Sequence, residues 1–262
     1  MTGAVSLGLG IGISELGLIE SAPAGGGPAP YHADAVHFDG NTFLSIASLA
    51  ATNNSRFSIS GWIKLAAADL GNGWSLLAND TQNNDGIFDF RSDIIVECKF
   101  VSPSAGASTV IVSNEVTSEV WVNFIFSVDN SAQQAALYIN DTAITFSATN
   151  FPSPAVNFLY NGLDCFFGSD GYGDNGIADF ADCRAQIGTS WLDGGGLIPE
   201  ATRRLFIDAG GKPVDPATAT GTLGAPTILF SGDATGFGTN QGTGGTFTTT
   251  GTLTNASTSP SD

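Results

Sequence analysis

Apolar and polar residues alternate along most of this chain. In RFSISGWIKLA (56–66), Phe57, Ile59, Gly61, Ile63 and Leu65 share one face, and Trp62 falls on the other. A period of two is that of a strand, not a helix. DAVHFDGNTFLSIAS (34–48) reads as a strand, an Asp-Gly turn and a second strand. WSLLAND (74–80) is a short strand, and the polar loop TQNNDG (81–86) leads into a hairpin over 87–101. STVIVSN and EVWVNFIFSVDN (119–130) continue the pattern. AALYINDTAITFSA (135–148) turns about Asn-Asp, NFLYNGLDCFFGS (157–169) turns about Asn-Gly, and IADFADCRAQIG (177–188) is a long strand. About a dozen short strands separated by turn residues predict an all-β antiparallel sandwich rather than βαβ units. One short helix is predicted, PEATRRLFIDA (199–209), with Pro199 and Glu200 suited to its first turn and Gly210 to its stop.

The two ends differ from the middle. AVSLGLGIGIS (4–14) places Val5, Leu7, Leu9, Ile11 and Ile13 on one face of a ribbon, with Gly and Ser between them. It reads as an N-terminal β-arm, and AGGGPAP (24–30) as a hinge. A secretory leader has a basic start and an unbroken apolar core. Here no Lys or Arg precedes Arg56 and glycines interrupt the run, although SAPAG (21–25) has the composition of a cleavage region. No apolar run approaches the roughly 18 residues of a membrane span. Beyond 213 the chain is rich in Gly, Thr and Ser. Residues 238–262 read either as a loose tail or as an extended strip that orders against a neighbour. The expected organisation is an arm and hinge (1–30), a sandwich (31–212) and a C-terminal extension (213–262).

Composition narrows the function. The 262 residues carry 8 Lys and Arg against 25 Asp and Glu, a net charge of −17. So few cations exclude a nucleic-acid groove and an anionic membrane surface. The cysteines, Cys98, Cys165 and Cys183, are widely spaced and form no zinc pattern. They read as small buried apolar residues, with a Cys165–Cys183 disulfide as the alternative. GYGDNG (171–176) fits a Gly-rich phosphate motif, but Asp170 and Asp174 repel a pyrophosphate and no helix follows. Glu115 and Glu119 sit too far apart along the chain for catalytic contact and read as a solvated edge. His37 reads as a structural residue within a strand. Trp74, Tyr172 and Trp191 lie near predicted loop ends, where aromatic rings serve as carbohydrate platforms.

AVHFDGNTFLSI, FSISGWIKL, VWVNFIFSVDNSAQQAALYIND and IADFADCRAQIG, followed by a helix, resemble a laminin-G-like domain. The match covers about 34–209, with Trp62, Trp121 and Tyr138 in family order and Asn140-Asp141 in place of the usual Asn-Gly. The resemblance implies a concanavalin-A-like jelly roll. It also implies an optional Ca²⁺ at the loop rim, for which Asp80, Asp85, Asp170 and Asp174 are the candidates. Glycosidases of that superfamily carry Glu-x-Asp-x-x-Glu on one strand, which this chain lacks. The segments from Arg203 to Asp233 and from Thr239 to Asp262 resemble the C-terminal part of laminin-G-like proteins of tailed-phage structural gene clusters. That resemblance implies a non-enzymatic virion protein, assembled in the host cytoplasm. Its roles would be capsid decoration, fibre or spike subunit, and its partners sister subunits and other virion proteins. A carbohydrate-binding adhesin recognising host-surface glycans is the alternative, and a glycoside hydrolase the remote one.

Overall fold

The computed structural model describes residues 30–51, 55–67, 74–79, 86–91, 95–102, 106–112, 117–151, 164–169, 171 and 175–262. The arm residues Val5, Leu7, Leu9, Ile11 and Ile13 lie outside them. In chain order the elements are β1 (Val36–Asp39), β2 (Phe43–Ile46), β3 (Arg56–Leu65), β4 (Trp74–Asn79), β5 (Gly86–Arg91), β6 (Ile95–Ser102), β7 (Gly106–Val112) and β8 (Val122–Asp129). Then come β9 (Gln134–Ile139), β10 (Thr142–Ala143), β11 (Phe146–Thr149), β12 (Cys165–Phe167), β13 (Ile177–Ile187), α1 (Glu200–Arg203), α2 (Thr220–Leu223), β14 (Ile228–Phe230), β15 (Thr248–Thr250) and β16 (Thr254–Asn255).

The strands form an antiparallel jelly-roll sandwich, as expected. The front sheet runs β10-β9-β8-β3-β13-β1-β16, with β14 also on β13, and the back sheet runs β11-β7-β6-β5-β4-β12-β2-β15. The β5–β6 and β9–β10 hairpins form where the pattern placed them. Residues 34–48 instead connect the two sheets, since β1 pairs β13 while β2 pairs β12. Gly40, at φ +79°, makes that corner, and Asp39 Oδ1 accepts the Asn41 N–H at 2.9 Å to fix it. The first arm and turn of the predicted 157–169 hairpin lie outside the described residues. Its last strand, β12, lies between β4 and β2.

Between the sheets lies the main core. β3 supplies Phe57, Ile59, Ile63 and Leu65, and β8 supplies Val122, Phe124, Phe126 and Val128. Cys165 on β12 and Cys183 on β13 join this core as buried free thiols, so no disulfide links them.

A second layer covers the outer face of the front sheet. Trp62, Ile125 and Tyr138 point outward and are buried beneath Trp191, Ile198, Phe206 and Ile207. Small polar residues seat this roof. Ser58 Oγ and Ser127 Oγ lie 2.9 Å apart, and Ser127 Oγ accepts the Trp191 N–H at 2.8 Å. Buried Arg184 donates to Thr220 Oγ1 at 3.1 Å and to the Gly224 carbonyl, placing a cation at the C-terminal end of α2. The predicted helix 199–209 shrinks to the single turn of α1, because Phe206 and Ile207 turn down into the roof and Ile207 bridges to Pro213. Asp141 holds α1 in place. It accepts from Arg203 Nε at 2.5 Å and Arg204 Nη2 at 2.6 Å, while the Arg203 guanidinium stacks 4.3 Å from the Tyr138 ring centroid. This clamp explains the Asn-Asp turn. Both residues take positive φ, 48° and 64°, where glycine is easier, yet glycine has no carboxylate.

The Gly/Thr-rich extension is neither a loose tail nor a strip awaiting a neighbour. β14 pairs β13, β15 pairs β2 and β16 pairs β1. Phe230, Phe237 and Phe247 enter the main core, with Phe230 stacked on Phe237 at 5.7 Å.

β13 contains a bulge. Ala181 opposes Trp62 and Arg184 opposes Ser60, so Asp182 and Cys183 together face Gly61. A Cβ on Gly61 would meet Phe124 Cζ at 3.0 Å and the Cys183 Cα at 3.4 Å. The extra residue shifts the alternation by one. Phe180 faces the core before it, Cys183 and Ala185 after it, and Asp182 is kept out.

Two outcomes follow from this packing. Trp191→Ala is expected to cost about 3–5 kcal/mol in urea unfolding; an unchanged midpoint contradicts the roof's role. Burial opposes ionisation of Asp141, but the hydrogen bonds and charges of Arg203 and Arg204 outweigh it and hold its carboxyl below the ordinary range. The clamp's stabilisation is therefore present above the unfolded-state pKa and lost as pH falls through the lower folded value. Asp141→Asn should lose about 1–3 kcal/mol at neutral pH, and the deficit should close as pH falls below about 4. A deficit independent of pH contradicts the ionic clamp.

Candidate functional site

Where the roof ends, a polar row crosses the front sheet. Thr254 on β16 opposes His37 on β1, His37 opposes Asp179 on β13, and Asp179 opposes Lys64 on β3. All four occupy outward positions, because their strand neighbours Phe38, Ala178, Phe180, Ile63 and Leu65 face the core. His37 Nδ1 lies 2.7 Å from Asp179 Oδ1, and Lys64 Nζ lies 3.3 Å from Asp179 Oδ2. The carboxylate is covered, with 11% of its side chain exposed against 38% for His37. With one partner on each oxygen, Asp179 orients both neighbours.

A cleft of about 420 Å³ opens over this row, lined also by Asn255, Ser257 and Glu119. The segment after β16 forms one edge, and Thr258 secures it. Thr258 Oγ1 accepts from Lys64 Nζ at 3.1 Å and from Trp121 Nε1 at 3.2 Å. Glu119, at φ 60°, braces the opposite connection, its Oε1 accepting the Ala67 N–H at 2.8 Å. Hydroxyl, amide, imidazole and ammonium groups thus stand on neighbouring strands about 4.8 Å apart, roughly the width of a hexose ring. Such an array can exchange hydrogen bonds with several hydroxyls of one ligand.

Comparison with solved structures supports the fold. A "putative carbohydrate binding protein" from Bacteroides ovatus superposes with a TM-score of 0.56 at 13% identity, over 88% of this chain and 62% of that one. This chain thus spans less than two thirds of that protein. A heptameric pentraxin from Limulus polyphemus gives 0.44 at 13% identity over 59% of this chain and 76% of that one. The LG1-3 region of the laminin α2 chain gives 0.41 at 12% identity over 59% and 31%. At such identities the Bacteroides likeness is one of fold. No protein-family model and no curated protein matches the chain.

Of the carbohydrate-platform and Ca²⁺ candidates singled out in the sequence, only Trp191 has a described side chain. Trp191 is buried, stacked on Phe206 at 4.9 Å, with its Nε1 donating to Gln186 Oε1 at 2.8 Å. It is a roof residue, not an open platform. Trp74 opens β4, opposite Phe90, but its side chain lies outside the described residues, as do Tyr172, Asp80, Asp85, Asp170 and Asp174. Among the described residues no three His, Cys, Asp or Glu side chains form a metal-binding group. His37 has its expected structural partner, yet it also lines the cleft. The polar row was missed because its members are spread from His37 to Thr254 along the chain and meet only through β16–β1–β13–β3 pairing. The usable signal was a polar residue at an outward position in VHFD, IADF and WIKL.

Thr258→Val removes the acceptor shared by Lys64 and Trp121. It should speed amide exchange across 256–262 several-fold while lowering global stability by less than about 1 kcal/mol. Unchanged exchange contradicts the strap.

Proposed function

We propose that this chain is a non-enzymatic, lectin-like binding module that takes a glycan unit in the cleft over His37, Asp179 and Lys64. The row of hydrogen-bonding side chains in register across four strands carries this reading. Lys64 is offset by Asp179, Glu119 adds a negative charge, and the chain carries −17 overall. That balance favours a neutral saccharide over a polyanionic one. The Bacteroides ovatus likeness supports the scaffold.

On this reading the module is displayed on a phage particle. The arm of Val5, Leu7, Leu9, Ile11 and Ile13 would anchor it to sister subunits or other virion proteins by strand addition. Support comes from the likeness of the C-terminal sequence to phage structural proteins and from the arm's alternating pattern. The reading needs no resident cofactor.

A glycan array tests the binding. Retention of at least one neutral glycan is expected, and Ser257→Arg, which places a long side chain in the cleft, should reduce it at least tenfold with the melting temperature unchanged. Retention unaffected by Ser257→Arg, or none on any glycan, contradicts the site. Binding should survive chelation; its loss would place Ca²⁺ in the interaction. Quantitative mass spectrometry of purified virions tests the display. Hundreds of copies per particle would mean a decoration and a handful a tail or vertex component, while absence contradicts the virion reading.

A further inference from the structure

Beneath the roof lies a second polar cluster that the cleft does not use. Ser60 on β3, Asn123 on β8 and Asp182 at the β13 bulge line one narrow pocket, walled by Trp62, Phe206, Val214 and Pro216. The cavity has no room for a water molecule. The three side chains come from residues 1%, 0% and 4% exposed. Among the described residues, Ser60 Oγ, Asn123 Oδ1 and Asp182 Oδ2 have no hydrogen-bond partner. Asn123 cannot simply be reversed, because its Nδ2 donates to the Gly61 carbonyl at 3.2 Å. A buried acceptor without a donor is destabilising, and an uncompensated buried carboxylate more so.

The surrounding charges make an ionised Asp182 worse. Tyr31 donates its hydroxyl to Asp182 Oδ1 at 2.9 Å from the N-terminal segment. Asp34 on that segment and Asp215 beside the roof are both negative. Arg184 is two residues along β13, but its Nη atoms are turned to Thr220 and Gly224. Among the described residues no cation pairs with Asp182. Cys183 faces the other way, into the main core.

We propose that Asp182 is held as a neutral carboxylic acid and acts as a proton-operated latch on the elements that close this cavity, the Tyr31 segment and residues 206–216. A proton on Oδ2 removes the charge that burial penalises, and it needs no space. Loss of that proton leaves a charge that only opening to water can solvate. Burial above all, with Asp215 and Asp34 adding to it, outweighs the Tyr31 hydrogen bond and raises this carboxyl to about 7. The extra proton is therefore bound only when folded, and its stabilisation is lost as pH rises through neutrality. The latched segment also carries the cleft's edge. Ala33 N–H donates to Ser261 Oγ, and Ala256 N–H to the Ala35 carbonyl, both at 2.9 Å. The inference stands independently of what the cleft binds.

Asp182→Asn keeps a neutral donor at this position and removes the titration. Unfolding of both proteins is measured in urea at pH 5 and pH 8. The wild-type folding constant should fall about a hundredfold relative to Asp182→Asn across that interval. A ratio that stays constant overturns the latch. The wild-type protein gives a second readout that needs no variant to fold. Its infrared spectrum at pH 6 should contain a protonated-carboxyl band that disappears by pH 8. Absence of that band at pH 6 overturns the proposal equally.

Discussion

Burial of the front sheet on both faces is the constraint on which the rest of this structure depends. β3, β8 and β13 bury almost every residue, although their sequences alternate. The inward set meets the back sheet, and the outward set meets the roof. Outward positions therefore cannot carry charges freely. They carry serines that bind the roof's backbone, rings that stack beneath it, or ions clamped by partners. Arg184 on β13, held by Thr220 and the Gly224 carbonyl, belongs to the last kind. The roof covers only part of the sheet, and the polar row of Thr254, His37, Asp179 and Lys64 lies on the remainder.

The bulge in β13 makes that division possible. An unbroken alternation would send Asp182, Arg184 and Gln186 to the same side as Phe180. One inserted residue at Gly61 reverses the order, so Cys183 and Ala185 fill the core. Arg184 and Gln186 are then free to hold the carbonyls at the end of α2. The same insertion leaves Asp182 enclosed between sheet and roof. A structural adjustment thus buries an acid that no cation pairs among the described residues.

Local patterning made the sandwich legible. Phe57, Ile59, Ile63 and Leu65 face the core as their spacing requires, and the Asn-Asp hairpin forms where its turn residues fall. Longer-range features were hidden for physical reasons. Phe237 and Phe247 are isolated among Gly and Thr, so no window around them shows a period, yet both find a place in the core. The helix signal after Pro199 was genuine for one turn, then lost to the burial of Phe206 and Ile207. Trp191 has the exposed-looking context of a loop, but a loop folded over a sheet buries its aromatic residue. A hint of the roof was present in Ser58, Ser60 and Ser127, outward residues too small and too weakly polar for an open face. The polar row depends on strand pairings between distant segments, which periodicity does not encode.

The proposed binding surface lies on the front sheet, with its edge tied down by Thr258 and by the N-terminal segment. The most direct test of that account is a nitrogen-15 NMR titration of the whole chain with a neutral saccharide retained on the array. The account predicts shift changes concentrated at His37, Lys64, Asp179 and Thr254–Thr258. Changes confined to other surfaces, or none at saturating saccharide, would contradict it.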